Sequence, residues 1–162
     1  MATTHPLLHP VLNIGLFNKL NRLLERVAAV AVLPGRALLS TIFLWAAFGK
    51  ITDWSSSAGY MTAHGMPLVP FFLAGAIFIE LGGGLALLLG WNARLAALVM
   101  ALYLVPVTLI FHNFWAFTGQ EHMVNFIMFL KNLSIMGGLL MVFGLGGGGF
   151  SLDARAEHKA AP

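Results

Sequence analysis

The chain has 162 residues, of which 59% are hydrophobic and only 9% charged, with a mean hydropathy of +0.85. Soluble domains carry about 25% charged residues, so a water-exposed fold of this composition would show large apolar patches, and a single integral membrane domain is expected instead. The net charge of +3 does not point to nucleic acid, because the basic residues lie beside apolar runs, and the lack of cysteine excludes a disulfide, a CxxC pair and an iron–sulfur cluster held by the chain's own thiolates.

In chain order, Met1–Pro10 reads as a loose tail with no cleavable signal peptide. From Val11 to Val27, Leu16, Leu20, Leu23, Leu24 and Val27 recur at helical spacing. Asn18, Lys19, Asn21, Arg22, Glu25 and Arg26 take the other side. This pattern predicts an amphipathic helix on a membrane surface, in preference to one docked on a partner protein, so residues 1–32 form a tail and an interfacial helix. Pro34-Gly35 is expected to break it or to start a new helix, although a longer span from Val27, kinked at Pro34, fits as well.

Four spans are predicted, at Leu33–Ile51, Leu68–Leu89, Arg94–Phe111 and Met123–Phe143. They make an all-α, four-helix membrane bundle over residues 33–144, followed by a flexible Gly-rich and then charged tail over 145–162. Trp54 and Tyr60 in the first connection suit an interfacial belt. The short link Gly90–Ala93 demands an antiparallel neighbour, and Pro106 is expected to kink the third span. Lys19, Arg22, Arg26, Arg36, Arg94, Arg155 and Lys159 fall to one side and Lys50 to the other, which predicts cytoplasmic termini. His64, His112 and His122 then sit at the outer face.

The second span, FFLAGAIFIELGGGLALLLGW, carries one charge, Glu80, near its middle. A carboxylate there is costly and is expected to face the bundle interior with a partner. Gly82, Gly83 and Gly84 let another helix approach closely. Depth along the spans favours Lys131 as the counter-charge, with Lys50, Arg36 and an unpaired, protonated Glu80 as rivals. His122, Asn125, Phe129, Asn132 and Met136 fall on one stripe of the fourth span, while Thr108 and His112 share a face of the third. These stripes predict either an outward-opening polar pocket or plain interhelical hydrogen bonding. Gly144, Gly146 and Gly149 match GxGxxG but follow no strand, so dinucleotide binding is not expected. His112, His122 and His64 lack metal-ligand spacing, and no metal site is expected.

The runs GRALLSTIFLWAAFGKITD, GYMTAHGMP, IELGGGLALLLGWNARLAALVMALY, FHNFW and FLKNLSIMGGLLM, in this order, resemble the DoxX family of small bacterial membrane proteins, from Pro34 to Asp153. The resemblance implies a four-helix protein of the bacterial inner membrane. It also implies redox association, because relatives include subunits of a thiosulfate:quinone oxidoreductase, accessory proteins for periplasmic redox enzymes and proteins of the oxidative-stress response. The family's recurring polar positions fall on Lys50, Glu80, His112, Asn113, Lys131 and Asn132. With Thr108 and Asn125 from the stripes, they form the expected ligand-binding set. A quinone, not covalently bound, is the expected ligand. A redox partner or a second copy is the expected protein partner, and an anchor or assembly factor is the non-enzymatic alternative.

Overall fold

The structure, a computed structural model, describes residues 9–160. Most of the tail expected over Met1–Pro10 therefore lies outside the described residues. Among the described residues six α-helices occur in order: α1 (His9–Thr52), α2 (Trp54–Ala63), α3 (Val69–Leu89), α4 (Ala93–Phe111), α5 (Gly119–Leu145) and α6 (Leu152–Ala160). A 3-10 turn, Phe114–Ala116, precedes α5, and no strand occurs among the described residues. Within α1, α3, α4 and α5 lie four stretches long and apolar enough to cross a membrane. The all-α four-span bundle is thus as the apolar runs require: with no water in the hydrocarbon, each backbone must satisfy its own hydrogen bonds.

The largest departure is in α1. Its 44 residues run through Pro34 without the expected break. At ~1.5 Å per residue the helix is about 66 Å long, twice the ~30 Å of a hydrocarbon core. Pro34 removes one intrahelical hydrogen bond but lies on an exposed face, and such prolines are tolerated in spanning helices. Residues 15–30 extend beyond the bundle with Leu16, Leu20, Leu23 and Val27 all exposed.

α1 packs on α3, α3 on α4 and α4 on α5, whereas α1 and α5 touch only sparsely. Phe43, Leu87, Ala97, Met100 and Leu139 form the apolar centre. Two of the three consecutive glycines serve close approach as expected. A Cβ at Gly83 would lie 2.6 Å from the Met100 sulfur, and one at Gly84 would lie 2.8 Å from Leu44 Cδ2. Gly82 faces open space instead.

The C-terminal segment folds back on the bundle, where the sequence reading assigned it no structure. Asp153 accepts from the backbone N–H groups of Asn92 (2.7 Å) and Ala93 (2.9 Å), the first donors of α4. A carboxylate there satisfies orphan donors and complements the helix dipole. Arg94 Nη1 donates to the carbonyls of Phe143 (2.9 Å) and Gly144 (2.6 Å) at the end of α5. Arg36, only 1% exposed, donates to the Phe150 carbonyl at 2.9 Å. The tail is therefore clasped to the first turn of α4 and to α1.

Candidate functional site

Glu80 lies 11 residues from Val69 and 9 from Leu89, close to the midpoint of α3. It is 4% exposed. Lys50 near the end of α1 places its Nζ 2.9 Å from both carboxylate oxygens. The Tyr103 hydroxyl on α4 donates to Oε1 at 2.8 Å. Among the described residues this is the only ion pair. Two helices thus supply a bidentate cation and a neutral donor to the acid of a third, which compensates the desolvated charge.

The expected partner, Lys131, does not fill this role. Its side chain is exposed on α5, with the Met128 sulfur 3.1 Å from Nζ. Spacing along the spans put Lys131 within reach of Glu80, but α3 packs between α1 and α4, away from α5. The rival Lys50 is the counter-charge.

Beside this cluster lies a chamber of about 1030 Å³, walled by α1, α2, α3 and α4. Its aromatic lining includes Trp45, Phe71, Phe72 and Phe111, and its polar groups include Lys50, Glu80, Tyr103 and His112. The pocket expected between the third and fourth spans is therefore displaced: α5 contributes nothing to the lining. α2 borders the chamber, and its Tyr60 stacks on Phe111 with ring centroids 5.4 Å apart. His64 packs against both rings, at 4.4 Å from Tyr60 and 5.1 Å from Phe111. Exposed Trp45 and Phe71 lie among the lining residues, so the chamber opens on the lipid-facing surface of the bundle.

Of the expected ligand-binding residues, Lys50, Glu80 and His112 come together around this volume. The His112 Nδ1 is buried without a protein partner, as is the Oδ1 of neighbouring Asn113. Thr108 and Asn132 pair elsewhere: Asn132 Nδ2 donates to Thr108 Oγ1 at 3.1 Å, joining α4 to α5. Asn125 donates to the Glu121 carbonyl at 3.0 Å. The polar stripe of α5 does face protein, but as interhelical and capping contacts rather than as a pocket wall. Thr108→Val is accordingly expected to cost only about 1 kcal/mol in thermal unfolding, with the Glu80 cluster intact.

Tyr103 was missing from the expected set. A signal for it existed: the chain has two tyrosines, both line the chamber, and a phenol within an apolar span needs a hydrogen-bond partner.

The DoxX family model matches residues 31–113. Inner membrane protein YqjF of Escherichia coli (strain K12) is 38% identical over 136 residues, covering 84% of this chain and 99% of that protein. The chain belongs to the DoxX family. Inner membrane protein YphA of the same organism is 30% identical over 126 residues, 78% of this chain and 90% of its own. This DoxX-family chain is thus a multi-pass inner membrane protein. The SURF4 family model also matches, over residues 73–159. The Surfeit locus protein 4 homolog of Drosophila melanogaster is 36% identical over 73 residues, 44% of this chain but 26% of the fly protein. No solved structure matches the chain. The DoxX match covers every wall of the chamber, so the Lys50–Glu80–Tyr103 cluster lies within the family's own part of the chain.

Proposed function

We propose that this DoxX-family protein is a redox-associated component of the inner membrane that binds the head group of a quinone in the α1–α4 chamber. What carries the reading is the chamber itself: about 1030 Å³ of aromatic-lined volume beside an intramembrane ion pair. Its lining suits an apolar ring system, and a few convergent polar groups orient a ligand in such a site. A quinone would supply a carrier of two electrons and two protons. His112 lines the chamber and its Nδ1 is buried without a protein partner, so a turn of the ring would let it donate to one carbonyl oxygen. The third N–H of Lys50 makes only a long contact of 3.5 Å with the Ala46 carbonyl, which a ligand oxygen in the chamber can replace. Glu80 fixes Lys50 and Tyr103 in place and keeps the local charge near neutral. Electrons come from a partner protein in this reading; without cysteine the chain holds no dithiol pair and no iron–sulfur cluster on its own thiolates.

The test is titration of the purified protein with a quinone analogue, following tryptophan fluorescence from Trp45. Affinity is expected to fall roughly tenfold in His112→Ala, for a lost buried hydrogen bond, and at least as far in Glu80→Gln. Equal affinity in all three proteins removes the site.

A second reading, an anchor or assembly factor for a partner, is favoured by a different observation. The first part of α1 projects from the bundle with apolar residues exposed. Deletion of residues 1–32 separates the two: it should spare ligand affinity and abolish assembly of a client complex.

A further inference from the structure

Lys131 is the exception to the charge pattern of this protein. It stands 12 residues from the start of α5 and 14 from its end, so about 18 Å and 21 Å from the two ends of the helix. A lysine on its four-carbon stem reaches the interface only from the last turns of a spanning helix. Yet its side chain is exposed on the outer surface of the bundle, and its one hydrogen-bonding contact is to the Met128 sulfur, on its own helix. Charged groups at such depth are expected to face protein, water or a counter-charge. Among the described residues no carboxylate lies within ion-pair distance of it.

The surface around it is suited to a helix. Ile127, Lys131, Ser134 and Gly138 follow at spacings of four, three and four, on one stripe of α5. Ser134 turns its hydroxyl back to the Leu130 carbonyl at 3.0 Å, presenting little bulk. A Cβ at Gly138 would meet Leu39 of α1 at 3.0 Å, so the stripe borders the thinly packed seam of α1 and α5. Gly138 is filled by Leu39 of the chain's own α1, and Ser134 is the small residue of the stripe that lets another backbone come close.

We propose that this face seats a transmembrane helix of a different protein, one carrying an aspartate or glutamate at mid-membrane depth opposite Lys131. Charge selects against a second copy of this chain. Two copies meeting here would oppose two ammonium groups, and Glu80, the acid at that depth, is already held by Lys50 and Tyr103.

The experiment uses the full chain, donor-labelled, in lipid vesicles. Acceptor-labelled polyleucine transmembrane peptides carry Glu, Gln or Leu at their centre. Energy transfer should report association with the Glu peptide, roughly tenfold tighter than with the Leu peptide, the Gln peptide lying between. Lys131→Leu should abolish that preference while leaving the isolated protein at least as thermally stable as the wild type, because a side chain serving only the bundle would destabilise on removal. Equal transfer to all three peptides overturns the proposal. So does a preference that survives in Lys131→Leu, or transfer between labelled copies of the protein that is lost in Lys131→Leu, which would assign the face to self-association.

Discussion

Replacing Lys50 by methionine is expected to lower the stability of the protein by about 3 kcal/mol, among the largest losses available to a single side chain. The change leaves the Glu80 carboxylate, 4% exposed at mid-span, with the Tyr103 hydroxyl as its only strong partner. Breaking a buried pair costs about 3–5 kcal/mol because one charge remains without compensation. The Lys50 side chain retains 25% of its exposure, which places the loss at the low end of that range. Glu80→Gln alone should cost less, since the partly exposed ammonium can turn toward the chamber and the amide still accepts from Tyr103. The double variant Lys50→Met/Glu80→Gln should recover most of the stability lost in Lys50→Met, because no charge is then left in the membrane. Denaturant unfolding of the four proteins in one detergent gives the coupling directly. If Lys50→Met unfolds with the wild type, the ion pair contributes nothing and the electrostatic account of the site fails.

The four spans were legible because the bilayer imposes a length and an apolar composition that appear in the sequence as runs. Predicted and observed boundaries of the second and third spans differ by about one residue for this reason. Glu80 was legible as a partnered acid on cost alone. Its partner was not, because span depth gives height along the membrane normal but not the order of helices around the bundle. Lys50 and Lys131 are both reachable by height, and only the packing of α1 on α3 separates them. The chamber was misplaced by the same ambiguity: the stripe ending at Asn132 faces protein, yet what it faces is Thr108 rather than a cavity. A break at Pro34 follows from helix propensity in water, which a spanning helix overrides, and the alternative of a longer span running through Pro34 is nearer to the observed α1. The clasp around Arg36 left the weakest trace. Gly90 and the glycines of GLGGGG read as freedom when their neighbours are unknown, whereas Gly90 and Gly147 make room for the Arg36 guanidinium.

That clasp yields the second large expectation. Gly90 ends α3 with φ +68, and a Cβ there would run into Arg36 Nη1 and stand 2.5 Å from the Ser151 Cβ. Gly90→Ala therefore combines the left-handed backbone cost of about 1 kcal/mol with displacement of a buried guanidinium. Moving Arg36 breaks its bond to the Phe150 carbonyl, and a hydrogen bond from a charged group contributes about 1.5–3 kcal/mol. The Gly90 carbonyl, which accepts from Asp153 N–H at 3.0 Å, shifts with the same turn, so the carboxylate cap on α4 loosens too. The expected sum is about 3 kcal/mol, with the C-terminal segment from Gly146 onward detached from the bundle. Limited proteolysis should show it as rapid cleavage near Arg155 and Lys159 while the four spans stay protected. Gly82→Ala is the matched control: the same substitution within α3 itself, at a site with nothing within 4 Å, should be neutral or slightly stabilising. Equal protection of the tail in both variants would show that the space beside Arg36 is not what ties the C-terminus to α1 and α4.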